Sequence, residues 1–329
     1  MNYNFDLPTD RRGTYSLKWD VAANELPMWV ADMDFETAPE IKEAIQKRAG
    51  HGVFGYTVVP EEWYRAIEDW WQVRHHFHME KEWMIFCTGV VPAISSIVRK
   101  MTTVGEKIVL LTPVYNIFFN SIVNNGRYVL ECPLRYENGE YSIDFCELEA
   151  KLADPQASMM IFCNPHNPVG KIWDRHTMEK IGHLRHKVWR GLNTDEAAEP
   201  NVFAMPAAIA AWRNGAPWLE ELRKYLYENK REAAEFLGTQ IPEVSLVSSE
   251  ATYLLWIDCR RITEKDVELK DFLRRETGLY LCEGSEYGKA GEGFLRMNAA
   301  CPRERLKDGL MRMKRGIEAF VCLPERRIQ

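Results

Sequence analysis

The feature that most constrains this chain is a rhythm that begins and then stops. In the first half, short apolar runs alternate with stretches whose apolar residues recur every three or four positions. By that spacing Pro39 to Ala49 and Pro60 to His78 read as helices. An apolar run at Trp83–Cys87 follows, then a helix from about Val91 to Met101. Lys107–Leu111, Tyr128–Cys132 and Ser158–Cys163 read as strands, separated by helices at Asn116–Asn125 and Asp144–Leu152. Apolar strands alternating with helices imply a parallel sheet covered on both faces. After Gly170 the alternation lapses. Helices are expected at Asp174–Gly191, Ala197–Arg213 and Trp218–Leu237, with no strand until Val244–Val247 and Tyr253–Ile257. Sequential units normally build one sheet, so this lapse is unusual for an α/β chain. The remainder reads as an α+β lobe: helix Lys265–Thr277, strands near Leu279–Cys282 and Phe294–Asn298, and a helix from Arg303.

Bulk properties narrow the class. The chain has 329 residues, enough for two lobes given that single cores stop growing near ~250–300 residues. Its net charge of −6 and pI of about 5.9 argue against nucleic acid or an anionic membrane as partner. The N-terminus lacks the apolar core of a signal peptide, and no apolar run reaches the ~20 residues that span a bilayer. Eight cysteines without a Cys-x-x-Cys pair suggest reduced, buried thiols in a cytoplasmic protein. His75, His76 and His78 crowd the end of a Trp-rich helix, but nothing acidic or thiol-bearing completes a ligand set. A solvated helix end is expected there, and no metal.

Four constellations carry chemistry. Thr88-Gly89-Val90-Val91-Pro92-Ala93 joins an apolar run to a helix, where glycine lets backbone approach an anion and free N–H groups point at it. Asn164-Pro165-His166-Asn167-Pro168-Val169-Gly170 follows an apolar strand, at the carboxyl end where open α/β sheets bind ligands. A single Asn-Pro step would suggest only a structural turn; the doubled motif is more specific. Arg296 lies in the apolar strand Phe294–Asn298, and a buried guanidinium needs a partner. A bound carboxylate and an internal Asp or Glu both satisfy that need. Tyr115, after Thr112-Pro113-Val114, and Tyr56, within Phe54-Gly55-Tyr56-Thr57, are aromatic residues near expected element ends.

Together these motifs resemble the fold-type-I pyridoxal-phosphate (PLP) enzymes, specifically the cystathionine β-lyase (PatB/MalY-like) branch of aminotransferase class I/II. The resemblance runs from Met28-Trp29-Val30-Ala31-Asp32-Met33-Asp34-Phe35 to the C-terminal helix. It implies an α/β fold: a mainly parallel sheet in a large PLP-binding domain, plus a smaller α+β C-terminal domain. The expected divisions are an N-terminal arm over 1–40, a large domain over 41–215 and the small domain over 216–329. It also implies that the backbone of Gly89, Val90 and Val91 cups the PLP phosphate. Tyr115 would stack on the pyridine ring, Asn167 would bond the ring hydroxyl, and Arg296 would take the substrate carboxylate. Tyr56 would reach the cofactor of the other subunit in a homodimer, while Ala31 and Asp32 would fold over the substrate.

Against that family the chain has a gap. The family carries a strand ending in Asp, which pairs the pyridine nitrogen, and a strand ending in the Schiff-base lysine. A third strand completes the sheet. None of the three is present between Glu179–Leu184 and Arg185–Arg190, so the join at Leu184–Arg185 reads as an in-frame loss of several dozen residues. Neither Lys171 nor Lys187 ends a buried strand, and no catalytic lysine is identified. Loss of interior strands is expected to leave unpaired strand edges and bare apolar helix faces. The resemblance implies PLP-dependent β-elimination from an L-cysteine S-conjugate, giving pyruvate, ammonia and a thiol, impaired in this chain. Aminotransferase activity is the alternative within the family. A non-catalytic binding or regulatory dimer is the alternative of another class.

Overall fold

The computed structural model describes residues 3–182 and 200–323, so the Leu184–Arg185 join and Lys187 lie outside the described residues. At the centre is β2 (Lys107–Thr112), an uninterrupted apolar run buried from Ile108 onward. It pairs in parallel with β3 (Tyr128–Pro133) and β6 (Ala157–Ile161) in the order β3-β2-β6, with Ile108 opposite Val129 and Met159. Side chains alternate across a strand. Ile108 and Leu110 therefore pack under α3 (Val90–Met101) and α4 (Ile117–Val123) through Val98, Phe118 and Ile122. Val109 and Leu111 face the opposite core, with Leu148 of α5 (Phe145–Leu152), Trp173, Trp256 and Phe294. Before this unit come β1 (Leu26–Pro27), α1 (Pro39–Gly50) and α2 (Glu61–His75).

The chain continues through α6 (Arg175–Gly182), α7 (Ala204–Asn214) and the long α8 (Ala216–Gln240). A second sheet is antiparallel, in the order β10 (Cys282–Glu283), β11 (Phe294–Asn298), β8 (Leu254–Asp258), β7 (Ser245–Leu246). Its apolar face is covered by α8, α9 (Asp266–Thr277) and α10 (Arg303–Val321) through Ala233, Leu237, Leu269, Leu273, Leu306, Leu310 and Met313. β1 adds in parallel to β9 (Leu279–Tyr280). The two lobes meet through aromatic packing: Tyr136 meets Phe294 edge-on with ring centroids 5.5 Å apart, and the Trp256 indole donates to the Tyr141 hydroxyl at 3.2 Å.

Several sequence expectations are corrected. The hairpin β4 (Arg135–Glu137) and β5 (Glu140–Ser142) was not expected, although Asn138-Gly139 is the residue pair that a tight two-residue turn favours. Both residues take positive φ, 53° and 82°. Helix α2 stops at His75 rather than His78 because His76 enters the left-handed region. His75 tilts against Trp71 with ring centroids 4.8 Å apart. Helix α7 begins at Ala204, later than expected. The Trp83–Cys87 run forms no ladder: a short 3-10 turn at Lys81–Trp83 leads into extended backbone, and Trp83 is exposed. β6 is only half-buried, with Ser158 exposed, whereas the neighbouring β2 is fully covered. Among the described residues β6 pairs on one side only, which is why an apolar strand remains partly bare.

The Met28–Phe35 segment is fixed to the second lobe by one carboxylate. Asp34 is 1% exposed and forms ion pairs with Lys18 (3.1 Å), Arg11 (2.9 Å) and Arg305 (3.1 Å). The Trp19 indole also donates to it at 2.9 Å. Burial alone would raise the Asp34 carboxyl, but Lys18, Trp19, Arg305 and Arg11 outweigh it, and the pKa lies below the usual carboxylate range. A lowered folded pKa gives stability that is present above the unfolded value near ~3.9 and lost as pH falls through the folded one. Asp34→Asn should cost about 3–5 kcal/mol in urea unfolding at pH 7, because Lys18, itself 2% exposed, is left buried and unpaired. The gap between variant and parent should narrow once the pH drops below ~4. A variant with the parent's urea midpoint at pH 7 would show that the cluster does not hold the segment.

Candidate active site

The carboxyl end of the parallel sheet gathers most of the residues singled out in the sequence. β2 ends in Thr112-Pro113, and β6 leads into the Asn164–Gly170 loop. His166 ties the two together: it is fully buried, and its Nε2 lies 2.9 Å from the Pro113 carbonyl. The Trp173 indole reaches its Nδ1 at 3.3 Å. Burial pushes the imidazole down to about 4, so it is a neutral brace rather than a proton carrier at pH 7. Gly170 closes the loop with φ of 70°. A Cβ there would come within 2.4 Å of the Ser249 side chain and 2.9 Å of the Ala251 carbonyl, so only glycine fits. Held in this loop, Asn167 carries a buried side-chain oxygen with no hydrogen-bond partner. Buried polar atoms are normally satisfied, and an orphan marks a place where something can bind.

Tyr115 stands just after β2, held edge-to-face on Phe118 with centroids 5.6 Å apart. Gly89 precedes α3 in extended conformation. No side chain caps that helix start, and its first turn has no acidic residue. Val90 is exposed and lines a cleft shared with Asn164 and Pro165. The phosphate-cup candidate and the Asn loop therefore border one cavity.

On the other side Val114 donates to the Tyr287 carbonyl at 2.8 Å, and the Arg296 guanidinium lies over the Tyr287 ring at 5.0 Å. Arg296 is 4% exposed. Its Nη2 donates to the Trp29 carbonyl at 2.7 Å, while Nε and Nη1 have no partner. Among the described residues it forms no ion pair with Asp or Glu. The segment beside it is held tightly. Asn298 donates to the carbonyls of Val30 (2.7 Å) and Asp32 (2.9 Å), and the Tyr253 hydroxyl donates to Ala31 (2.7 Å). The Asp32 carboxylate turns to Arg11 at 2.5 Å.

Val90 and the start of the Asn164–Gly170 loop border one cleft, while Arg296, Ala31 and Asp32 lie together beside β11, linked to the Tyr115 side through the Val114–Tyr287 hydrogen bond. Tyr56 stands apart, its side chain fully exposed. Sequence reading missed Asn298 and Tyr287. Asn298 was findable, because a residue two positions beyond Arg296 on a strand shares its face; nothing local marks Tyr287. Two lysines that the sequence or the packing brings to mind are engaged elsewhere. Lys171 lies 3.7 Å from Glu250, and Lys230 donates to Ser249 and Thr252.

Two measurements test these assignments. Arg296→Met should leave the urea midpoint unchanged or raise it, since it removes a buried charge that has no carboxylate partner among the described residues. A loss of about 3–5 kcal/mol would reveal a hidden carboxylate partner. For His166, the neutral form is favoured in the folded state, so stability should fall as pH drops from ~6.5 towards about 4, by about 3 kcal/mol in full. His166→Gln should flatten that part of the curve, and a curve as steep as the parent's would remove His166 as its cause.

Comparison with known proteins agrees with this arrangement. The family described as aminotransferase class I and II matches residues 24–197 and 202–313. The chain is 35% identical to cystathionine beta-lyase PatB of Bacillus subtilis (strain 168), covering 94% of this chain and 99% of PatB. It is 30% identical to protein MalY of Escherichia coli (strain K12), over 96% and 99%. The PatB alignment extends over 382 positions, more than the 329 residues present here, so PatB has positions with no counterpart in this chain. Among solved structures, the PLP-bound C-S lyase from Staphylococcus hominis superposes with a TM-score of 0.89 at 25% identity, covering 96% of this chain and 98% of that one. The chain belongs to the class I and II aminotransferase family, in its PatB/MalY branch, and has the fold of the PLP-dependent type I transferases.

Proposed function

We propose that this chain is a carbon–sulfur β-lyase by construction. It takes pyridoxal 5′-phosphate and an L-cysteine S-conjugate such as cystathionine, directed to pyruvate, ammonia and thiol, with turnover impaired by the missing lysine. The observation that carries this reading is Arg296, a buried guanidinium with two unpaired nitrogens and, among the described residues, no ion pair with Asp or Glu. The orphaned Asn167 oxygen supports the cofactor part.

The residues present fit the cofactor's non-covalent anchors. Backbone N–H groups at Gly89, Val90 and Val91 meet the phosphate at the start of α3. Tyr115 offers its ring face to the pyridine, and Asn167 bonds the ring hydroxyl. Arg296 would meet the substrate carboxylate with a free guanidinium nitrogen. Ala31 and Asp32 lie over the substrate on a backbone fixed by Asn298 and Tyr253, which restricts water and orientation. When bound, PLP draws electron density from the substrate α-carbon. Removing the α-proton needs a base within hydrogen-bond reach. His166, Lys171 and Lys230 are each engaged elsewhere, so no described residue supplies that base.

In this reading the chain forms a homodimer in the cytoplasm, with Tyr56 reaching the partner's cofactor phosphate. It serves amino-acid metabolism, including methionine biosynthesis. An arm over 1–40, a cofactor domain over 41–215 and a small domain over 216–329 are its parts. The same missing lysine favours the second reading, a dimer that binds cofactor and ligand without turning over. Aminotransferase activity remains the alternative within the family.

The test is PLP titration followed by borohydride reduction, with thiol and pyruvate measured after adding cystathionine. Saturable PLP binding without covalent label is expected, together with slow thiol release or none. Measurable release identifies the impaired lyase, and its complete absence the non-catalytic dimer. Amino transfer to a keto acid without thiol release would favour the aminotransferase. Arg296→Met should weaken amino-acid binding by about 1.5–3 kcal/mol while PLP binding persists. No PLP binding at all would overturn the proposal, and a covalent label would overturn the claim of a missing anchor.

A further inference from the structure

We infer, on the carbon–sulfur lyase reading above, that Glu286 is a specificity-determining residue: it favours L-cysteine S-conjugates whose sulfur substituent ends in an ammonium group. Glu286 lies in a short 3-10 turn, Gly284–Tyr287, between the two groups assigned to hold ligand. On one side its sequence neighbour Tyr287 places its ring under the Arg296 guanidinium at 5.0 Å. On the other, the Asn116 amide donates to Glu286 Oε2 at 3.4 Å, and Asn116 directly follows Tyr115. The carboxylate thus stands at the seam between the aromatic platform and the guanidinium, with its side chain open to solvent.

The turn that carries it is held from within. Asp266, 3% exposed, accepts from the Ser285 N–H at 2.7 Å and the Gly293 N–H at 3.3 Å. A Cβ on Gly284 would come within 2.0 Å of the Gly291 carbonyl, so the backbone here is packed against backbone. The Tyr287 carbonyl is fixed by the Val114 N–H at 2.8 Å. Glu286 is therefore presented on a rigid support.

Its charge is poorly compensated. Among the described residues Glu286 forms no ion pair. Partial burial and the neighbouring Glu283 raise its carboxyl above the ordinary range, and Lys270 and Arg296 oppose them without cancelling them. Both cations are engaged: Lys270 lies 3.1 Å from Glu283 and 3.1 Å from Asp271, and Arg296 donates to the Trp29 carbonyl. Asn116 supplies one long hydrogen bond from a neutral amide. A carboxylate in this position gains from an added cation and repels an added anion.

An amino acid with its carboxylate at Arg296 and its reacting carbon before a ring at Tyr115 is held on both sides of Glu286. The sulfur substituent is the part left free to pass along the seam. An ammonium at its end makes a charge-assisted hydrogen bond to Glu286. Cystathionine carries such a group on its far half. An S-alkyl tail has nothing to offer, and a carboxyalkyl tail meets like charge.

The test uses the full chain saturated with PLP and calorimetric dissociation constants for three conjugates: S-aminoethyl-, S-propyl- and S-carboxyethyl-L-cysteine. The aminoethyl conjugate should bind about tenfold tighter than its near-isostere the propyl conjugate, and the carboxyethyl conjugate weakest. Glu286→Gln can keep the Asn116 bond; it should bring the first two within about twofold of each other and leave the propyl constant unchanged. Glu286→Lys should reverse the order of the two charged tails. A role in structure alone would weaken all three alike. Equal binding of the three by the parent chain, or a preference that survives Glu286→Gln, overturns the assignment of Glu286 and leaves the lyase reading standing. No binding of any conjugate overturns that reading and this inference with it.

Discussion

Asp34 gathers Lys18, Arg11 and Arg305 around one buried carboxylate, and through them the N-terminal segment is bound to the lobe that carries β11. The ladder that follows sets backbone and side-chain donors against backbone carbonyls. Asn298 N–H donates to Met28, Arg296 to Trp29, the Asn298 amide to Val30 and Asp32, and Asp34 N–H to Ala300. Each of these bonds requires the segment to lie in one register beside β11. The position of the Trp29 carbonyl, the oxygen that Arg296 touches, is therefore set from a distance by Asp34. This arrangement separates two roles that look alike in the sequence. Asp34 is a buried charge whose opposite charges surround it, and Arg296 is a buried charge left with open valence.

That separation explains how far the sequence could be read. The run Lys107–Leu111 predicted a buried parallel strand because four consecutive apolar residues, Ile108 to Leu111, lie between helices, and β2 is that strand. The small antiparallel sheet was legible as Val244–Val247, Tyr253–Ile257 and Phe294–Asn298 for the same reason. Trp83–Cys87 carries an equally apolar run and fails to pair. Strand formation needs a partner, and a partner lies elsewhere in the chain. Tyr287 illustrates the other limit: its carbonyl bonds Val114 and its ring lies under Arg296, but both contacts come from distant sequence. The Asn138-Gly139 hairpin is different, because its signal was local.

The incomplete sheet and the intact site are less contradictory than they first look. The carboxyl ends of β2 and β6 still stand side by side, and His166 bridges the loops that leave them. The second lobe, with its own apolar core, supports Arg296 and the Met28–Phe35 segment independently of how many strands the parallel sheet contains. Polar anchors from both lobes thus persist. Among the described residues β6 pairs with β2 alone, and Met159 and Ile161 remain half-buried.

Binding and turnover consequently rest on different parts of this chain. Carboxylate capture needs two free guanidinium nitrogens and a fixed backbone, and both are in place. Proton removal needs a base of suitable pKa at the reacting carbon, and the buried basic groups here are committed to carbonyls, hydroxyls or carboxylates. Strengthening the first without the second stabilises the bound ground state and leaves the barrier untouched. Binding anchors and a catalytic base are thus separate requirements, and among the described residues the first is met more fully than the second.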